Sequence, residues 1–265
     1  HLASRLGYGT VVMQAGEGPG VGAEWVADLV RQIKKETCLA VTLSLGERDS
    51  HELARWREAG ADRYLLRFET SDAELFGHIH PPLPGRRSDR LALLRELRQL
   101  GYEVGSGVMV GVPGQSYESL AADIELFQEL DLDMIGVGPY LPHPETPLAS
   151  EKSRLPKEGQ VPNTAQMALK VLALARIACP EANMPGPTSL ATIDPVRGVE
   201  RGLRAGANVL MPNVAPTEIR AKYEVYPNKA VADATVPESA ARIRERIESI
   251  GRTVSVGPGM RKQKT

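Results

Sequence analysis

The segment Arg90–Val110, RLALLRELRQLGYEVGSGVMV, contains the junction that decides the fold of this chain. Apolar residues recur at helical spacing in its first half, which predicts an amphipathic helix over Arg90–Leu100. Gly101 follows where a helix can end in a left-handed conformation, which glycine adopts without a Cβ clash. The apolar segment Val104–Val110 comes almost directly after it and is typical of a buried strand.

The same helix–glycine–strand junction occurs at three other places in the chain. They are Leu6-Gly7-Tyr8-Gly9, Ala59-Gly60-Ala61-Asp62 and Ala205-Gly206-Ala207-Asn208. Each is followed by a short apolar segment, and a regular alternation of helices with strands builds a parallel sheet.

The intervening segments extend this alternation to seven strand–helix units. Strands are expected at Thr10–Met13, Cys38–Leu45, Arg63–Leu66, Val104–Val110, Met134–Gly138, Asn183–Pro187 and Val209–Met211. Helices are expected at Ala23–Glu36, Ser50–Ala59, Arg90–Leu100, Tyr117–Leu130, Ala165–Ala178 and Pro195–Ala205. The strand over Asn183–Pro187 has the weakest pattern, because its prolines cannot donate to a sheet.

A closed (β/α)8 barrel of the TIM type has eight such units. The predicted fold is therefore an α/β protein with an incomplete TIM-type barrel whose first βα unit is missing. We expect the barrel over residues 1–252 and a C-terminal tail over 253–265. A doubly wound sheet is the alternative fold.

The amino-acid composition argues against several classes of protein, including those that bind nucleic acid or span a membrane. The 265 residues include 32 basic and 33 acidic side chains, a net charge of −1, which argues against a nucleic-acid partner. No apolar run approaches the roughly 20 residues that span a bilayer. The two cysteines, Cys38 and Cys179, are too few for a disulfide scaffold. We expect both side chains to be buried and reduced, and the protein to be cytoplasmic. The start at His1 lacks an initiator Met and is expected to be internal to a longer gene.

Polar, glycine-rich or proline-rich sequence follows each predicted strand, and in a barrel these strand ends meet on one rim, where active sites are built. The rim groups expected to carry chemistry are Glu17, Ser44, Arg67, Glu69, Arg90 and Thr188. A carboxylate can take the ammonium of an amino-acid-like ligand or the hydroxyls of a ribose, and an arginine can hold a carboxylate. The residues alone therefore predict a barrel that handles an amino acid or a nucleoside.

Simpler interpretations of the same residues stay open. Glu17 also fits the start of a helix, and Arg67 with Glu69 fits a structural ion pair. Arg90 fits a solvated helix start, and Gly111–Gln115 fits an ordinary turn. No metal site is expected, since His78 and His80 fall in a proline-rich segment that we predict to be a loop.

Two of the strand-end motifs resemble those of radical S-adenosylmethionine (SAM) enzymes. Met13-Gln14-Ala15-Gly16-Glu17 resembles their Gly-Glu motif, and Gly111-Val112-Pro113-Gly114-Gln115 resembles their Gly-x-Pro-Gly-Gln turn. Within that superfamily, phrases such as Val41–Glu47, Ala59–Arg67, Leu132–Pro139, Pro142–Leu148 and Gly206–Asn213 resemble the HydE family of FeFe-hydrogenase maturases. This resemblance runs from about Leu6 to Arg252.

The resemblance implies a role for each matching residue. Gly16 and Glu17 would hold the SAM ammonium, Ser44, Glu69 and Arg90 would contact its methionine and ribose, and Met109 would lie against its adenosyl group. Substrate would be bound in the barrel cavity by Gln14, Thr42, Arg67, Thr188, Tyr223 and Tyr226.

The implied reaction is reductive cleavage of SAM by a 4Fe-4S cluster to a 5′-deoxyadenosyl radical. The implied substrate is a mononuclear iron complex carrying cysteine, CO and cyanide, and the implied partners are other hydrogenase maturases and an electron donor. No membrane partner is implied.

The sequence departs from the family pattern in three respects. The CxxxCxxC motif that binds the cluster is absent, so the cluster loop is expected to be missing together with the first βα unit and the chain to be inactive alone. Pro187-Thr188 stands where the family has two threonines, and Ala234–Arg242 contains no cysteine for a second cluster.

Two other functions are alternatives to the maturase. One is a radical SAM enzyme acting on an amino acid, similar to methylornithine synthase or biotin synthase. The other is a cluster-free barrel that binds SAM or a nucleoside without turnover.

Overall fold

The computed structural model describes residues 1–18, 20–80, 88–150, 159–216, 219 and 236–261. Its strands are β1 (Thr10–Gln14), β2 (Ala40–Ser44), β3 (Arg63–Leu65), β4 (Glu103–Val110) and β5 (Met134–Pro139). Its first helices are α1 (Leu2–Arg5), α2 (Ala23–Glu36), α3 (Ser50–Glu58), α4 (Ala73–Ile79), α5 (Arg90–Gln99) and α6 (Tyr117–Glu129). The later helices are α7 (Pro147–Ser150), α8 (Ala165–Ala178), α9 (Thr188–Ile193), α10 (Gly198–Ala205) and α11 (Val236–Ser249).

The five strands form one parallel sheet in the order β1-β2-β3-β4-β5. Parallel bridges from Met134 to Asn183 and from Pro185 to Val209 extend the arc past β5. This curled sheet, with helices between successive strands, confirms the prediction of an incomplete (β/α)8 barrel. The predicted sixth and seventh strands are present only as these isolated bridges. Pro185 and Pro187 of the sixth strand cannot donate to a ladder, and the seventh strand pairs with this interrupted segment.

The main hydrophobic core lies between the sheet and the helices. Trp56 of α3 stacks on Tyr64 of β3, and Tyr102 meets the Tyr64 ring edge-on. Leu43 and Ile135 are fully buried in the same core cluster. Side chains of a strand alternate between two faces, so the opposite face of each strand points into the barrel. Polar residues such as Thr10 and Thr42 line that interior.

Helices α7 and α11 were not predicted, and the differences at α4, α9 and α10 bear on the predicted segments. The segment with His78 and His80 is not a simple loop, because His78 lies in α4 and His80 is its C-cap. The Asp72 carboxylate accepts from the backbone N–H groups of Glu74 and Leu75, and this cap nucleates the helix. The predicted helix Pro195–Ala205 is shorter and begins at Gly198, and a separate helix, α9, precedes it.

The prediction that both cysteines are buried is wrong. Cys38 is exposed and Cys179 is half-buried. Cys38 was predicted to begin the second strand, but the strand begins at Ala40, and Cys38 lies in the three-residue connection between α2 and β2, where its side chain is exposed. Cys179 is the C-cap of α8.

The C-terminal residues lie across the amino-terminal end of the sheet. Thr10 Oγ1 donates to Pro258 O at 2.8 Å, and Asn183 Nδ2 donates to Gly259 O at 2.8 Å. Arg261 reaches Asp133 Oδ1 at 3.1 Å, just before β5. The carboxyl ends of the strands lie at the opposite end of the sheet from these residues. Among the described helices, none has the length and apolarity that a membrane crossing needs.

Candidate functional site

A small cavity of about 150 Å³ lies at the carboxyl ends of the first three strands. It is lined by Ala15, Gly16, Glu17, Ser44, Gly46, Leu65, Leu66, Arg67 and Arg90. Five of the residues predicted to bind SAM or substrate are in this group. This position agrees with the rule that barrel active sites form where strands end.

The loops after β1 and β2 approach each other closely at this cavity. Ala15 N donates to Ser44 O at 3.0 Å, which continues the ladder one residue beyond β1. Gly46 has φ of +79°, and a Cβ built there would overlap the Glu17 carboxylate. Glycine at position 46 therefore allows Glu17 to reach the second loop, where Glu47 N donates to Glu17 Oε2 at 2.8 Å.

Arg90 is the residue that joins the loops around the cavity. It is the first residue of α5 and only 8% exposed, so it is not a solvated helix start. Its Nη2 contacts Glu17 Oε1 at 2.7 Å, and its Nε contacts Glu47 Oε1 at 2.9 Å. Its Nη1 donates to Arg67 O at 2.6 Å. One guanidinium thus connects the loops that follow β1, β2 and β3.

Glu47 is a site residue that the sequence prediction missed. Its side chain is buried, and its Oε1 also accepts from Ser88 Oγ at 2.5 Å. Gly46-Glu47 follows β2 as Gly16-Glu17 follows β1, and this repeated dipeptide was a signal that could have identified it.

Glu69 and Arg67 are brought together on the next loop. Arg67 Nη2 and Glu69 Oε2 are 3.3 Å apart, and Arg67 also donates to Val108 O. Glu69 has φ of +64°, a left-handed conformation that costs a non-glycine residue about 1 kcal/mol or more. Its backbone N–H donates to Gly107 O at 3.0 Å, which holds this conformation.

The Gly111–Gln115 segment forms a turn at the end of β4. The buried Gln115 side chain closes it, since Oε1 accepts from Gly111 N at 2.6 Å and Nε2 donates to Met109 O at 3.0 Å. Met109 is half-buried against a small cluster with Val112 and Tyr140 and does not line the small cavity.

Gln14, Thr42 and Thr188 line a second and much larger cavity of about 1970 Å³, which includes the barrel interior. Thr188 is the first residue of α9, not a strand-end residue, yet its side chain still faces this space. Tyr223 and Tyr226 lie outside the described residues. The predicted substrate residues present in the structure are therefore divided between the two cavities, with Arg67 on the small one.

Glu17, Glu47 and His80 form the one group of described residues whose ligand atoms all lie within 4.8 Å of one another, as in a metal site. Arg90 donates to both carboxylates, so a guanidinium already provides the cation between them. Burial, and then the charge of Arg90, lower the pKa of His80, which keeps its imidazole neutral at neutral pH.

The groups of this cavity suit the methionine part of SAM. Glu17 is partly exposed and presents a carboxylate for an ammonium, while Ser44 and Arg67 add a hydroxyl and a cation. A 4Fe-4S cluster does not fit the residues of this chain, because cluster irons are held by several cysteine thiolates. The chain has two cysteines, and neither lines the small cavity.

Comparison with known proteins agrees with this geometry. The model of the Radical SAM superfamily matches residues 2–127. The [FeFe] hydrogenase maturase subunit HydE of Thermotoga maritima is 41% identical over 99% of this chain, which spans 72% of that protein. The 3-methylornithine synthase of Methanosarcina acetivorans is 29% identical over 82% of the chain, which spans 59% of that enzyme.

Solved structures show the same fold. Methylornithine synthase (PylB) superposes with a TM-score of 0.73 at 25% identity, covering 94% of this chain and 69% of its own. The maturase HydG of Carboxydothermus hydrogenoformans superposes with a TM-score of 0.68 at 16% identity, covering 94% of this chain and 56% of its own. Because the identity to HydE extends over nearly the whole chain and most of that protein, the chain belongs to the HydE family of [FeFe] hydrogenase maturases within the radical SAM superfamily.

Proposed function

We propose that the small cavity binds the methionine and ribose portions of SAM and that the chain is the SAM- and substrate-binding part of a HydE-type maturase. The observation that carries this proposal is the arrangement of Glu17, Ser44 and Arg90 around one cavity at the carboxyl ends of the strands. Membership in the HydE family supports the choice of SAM over other amino-acid-like ligands.

Each residue predicted to bind SAM has a role in this proposal. Gly16 and Glu17 hold the ammonium of SAM, and a Cβ at Gly16 would meet no neighbouring atom, so the ligand can approach its backbone closely. Arg90 keeps the Glu17 carboxylate in place through its 2.7 Å contact. Ser44 donates to or accepts from the methionine and ribose groups, and the carboxylate of Glu69 accepts from the ribose hydroxyls. Met109, which lies outside the small cavity, contacts the adenosyl group.

SAM supplies a 5′-deoxyadenosyl radical in this superfamily when it is reductively cleaved, and a radical of this kind needs a cavity that excludes water. We propose that the large barrel cavity takes the substrate, a small iron complex with cysteine, CO and cyanide ligands. Gln14 and Thr42 face this cavity from β1 and β2, and Thr188 faces it from α9. Their hydroxyl and amide groups suit the polar ligands of such a complex.

Isothermal titration of the 265-residue chain with SAM tests the proposal. We expect saturable binding to the wild type and about tenfold or greater weakening in Glu17→Gln, because a charge-assisted hydrogen bond contributes about 1.5–3 kcal/mol. Glu74→Gln, an exposed change on α4, is the control and should bind as the wild type does. Absence of saturable SAM binding, or equal affinity of the wild type and Glu17→Gln, would contradict the proposal.

A further inference from the structure

Gln160, which precedes α8 in the chain, contacts the turn at the end of β4. We propose that Gln160 is a positioning residue for the adenosyl half of SAM. It fixes the Gly111–Gln115 turn, and with it Met109, against which that half of the ligand binds. This inference rests on the proposed function, in which the small cavity takes the methionine half of SAM.

The order of the strands places this turn on the path of the ligand. Glu17 follows β1 and Ser44 ends β2, and both residues line the small cavity. Glu69 follows β3 and forms a parallel bridge with Val108 of β4. A ligand with its methionine at β1 and β2 and its ribose at Glu69 therefore extends its adenine toward the end of β4, where Met109 lies.

The end of β4 also offers the apolar surface that an adenine ring needs. Met109 is half-buried beside Val112 and Tyr140 in a small apolar cluster, to which Leu75 of α4 also belongs. Ligand sites are lined mostly by apolar and aromatic side chains with a few polar groups. A turn that keeps this surface in one conformation reduces the ordering cost of binding.

Gln160 holds the turn through both ends of its side-chain amide. Its Oε1 accepts from Gly114 N at 2.8 Å, and its Nε2 donates to Val112 O at 3.0 Å. Gln115, inside the turn, engages two other backbone groups in the same way. One glutamine inside the turn and one outside it therefore fix four backbone groups in and next to the turn.

The segment that carries Gln160 lies directly against the turn. Val161 N donates to Gln115 O at 2.9 Å. Gly111 has φ of +81°, and a Cβ built there would lie 2.3 Å from the backbone of Asn163. Gln160 therefore belongs to a packed segment, and its amide has a fixed direction toward the turn.

Titration calorimetry of the full chain with SAM tests the inference. Gln160→Ala should weaken SAM binding about fivefold, because the loss of the fixed turn costs about as much as one hydrogen bond. Gln160→Met keeps the length of the side chain but removes both hydrogen bonds, and it should show the same loss. Gln166→Ala, an exposed change on α8, is the control and should bind as the wild type does. Thermal melting of each variant verifies that it is folded.

Two double-mutant cycles distinguish positioning of the adenosyl half from a general loss of structure. The effect of Gln160→Ala should shrink to about twofold or less in a Met109→Ala background, because the side chain that the turn positions is then absent. The effect should remain about fivefold in a Glu17→Gln background. Glu17 binds the other half of SAM, and two strands separate β1 from β4 in the sheet.

Equal affinity of the wild type and both Gln160 variants for SAM would overturn the inference. A loss of affinity that is the same in the Met109→Ala and Glu17→Gln backgrounds would also overturn it, since this result would show a general structural role. Both results leave SAM binding by the wild type, and therefore the proposed function, intact. A wild type that does not bind SAM would overturn the proposed function, and this inference with it.

Discussion

Asp123 of α6 is a buried carboxylate that holds the loop after Glu69. It is fully buried, and its Oδ1 accepts from Ser71 N at 2.5 Å and from Ser71 Oγ at 2.7 Å. Burial raises its pKa to about 6 from 3.8, although the hydrogen bonds from Ser71 act in the opposite direction, and the nearby Asp72 raises it slightly further. The residue therefore changes its charge within a pH range in which the folded protein can be studied.

The raised pKa predicts how stability depends on pH. Between about pH 4 and pH 6 the folded state binds more protons at Asp123 than the unfolded state does, so this group's contribution to the free energy of unfolding falls as pH rises. The fall is about 3 kcal/mol for a shift of about two pKa units. Denaturant titrations of the wild type and Asp123→Asn at pH 4 to 7 should therefore give a difference in unfolding free energy that declines by about this amount.

Glu125→Gln is the matched control for this prediction, since Glu125 is exposed on the same helix. The difference in unfolding free energy between Glu125→Gln and the wild type should stay constant across the same pH range. Parallel stability curves for the wild type and Asp123→Asn would show that the carboxyl of Asp123 titrates alike in both states, contrary to the prediction.

At the scale of elements, the β4–β5 pair contains two glycines that face each other and differ in what a methyl group would meet. Gly107 pairs with Gly136 in the parallel register. A Cβ at Gly107 would overlap the carbonyl oxygen of Gly136, whereas a Cβ at Gly136 would lie 3.8 Å from Ser106 O, an ordinary contact.

Alanine substitutions at these two positions should therefore have unequal effects. Gly107→Ala should lower the free energy of unfolding by about 2 kcal/mol or more, because strand backbone must move. Gly136→Ala should change it by less than about 1 kcal/mol. Urea denaturation of both variants measures the difference, and equal stabilities would contradict the close approach of these strands.

The sequence predicted the bounds of several helices more accurately than it predicted the contacts between side chains. The bounds of α2 and α8 agree with the predicted ranges, since their apolar spacing and ends depend on nearby residues alone. Helix α4 was missed because its capping residue, Asp72, lies in a short polar segment without a strong apolar period. The predicted sixth strand is reduced to bridges for a reason that is also local, its prolines.

At the scale of the whole molecule, the C-terminal tail packs against the amino-terminal end of the sheet. Arg63 donates to Thr10 Oγ1 at 2.9 Å and to Gly259 O at 3.5 Å, and it also pairs with Glu103. A Cβ at Gly9 would overlap the carbonyl oxygen of Gly257, so the tail lies directly against the start of β1.

Arg261 secures the end of this tail. Its guanidinium, 15% exposed, is 2.7 Å from Asp131 Oδ1 and 3.1 Å from Asp133 Oδ1. Arg261→Ala should reduce the protection of the Gly257–Met260 segment from limited proteolysis and lower the free energy of unfolding by about 1 kcal/mol. Arg242→Ala, an exposed change on α11, should do neither. Unchanged protection of the tail in Arg261→Ala would show that this residue does not secure it.

The alternation of helices with strands, the barrel class and the rim on which polar residues gather were all determined by the sequence itself. Helical spacing, glycine at helix ends and the two-residue period of strands act over a few residues and can be found without coordinates. Which side chains contact one another was decided only by the tertiary structure. Arg90 contacts Glu17 across 73 residues and Glu47 across 43, and Asp123 reaches Ser71 across 52. These contacts depend on strand register and on how each helix packs over the sheet, which no local pattern specifies.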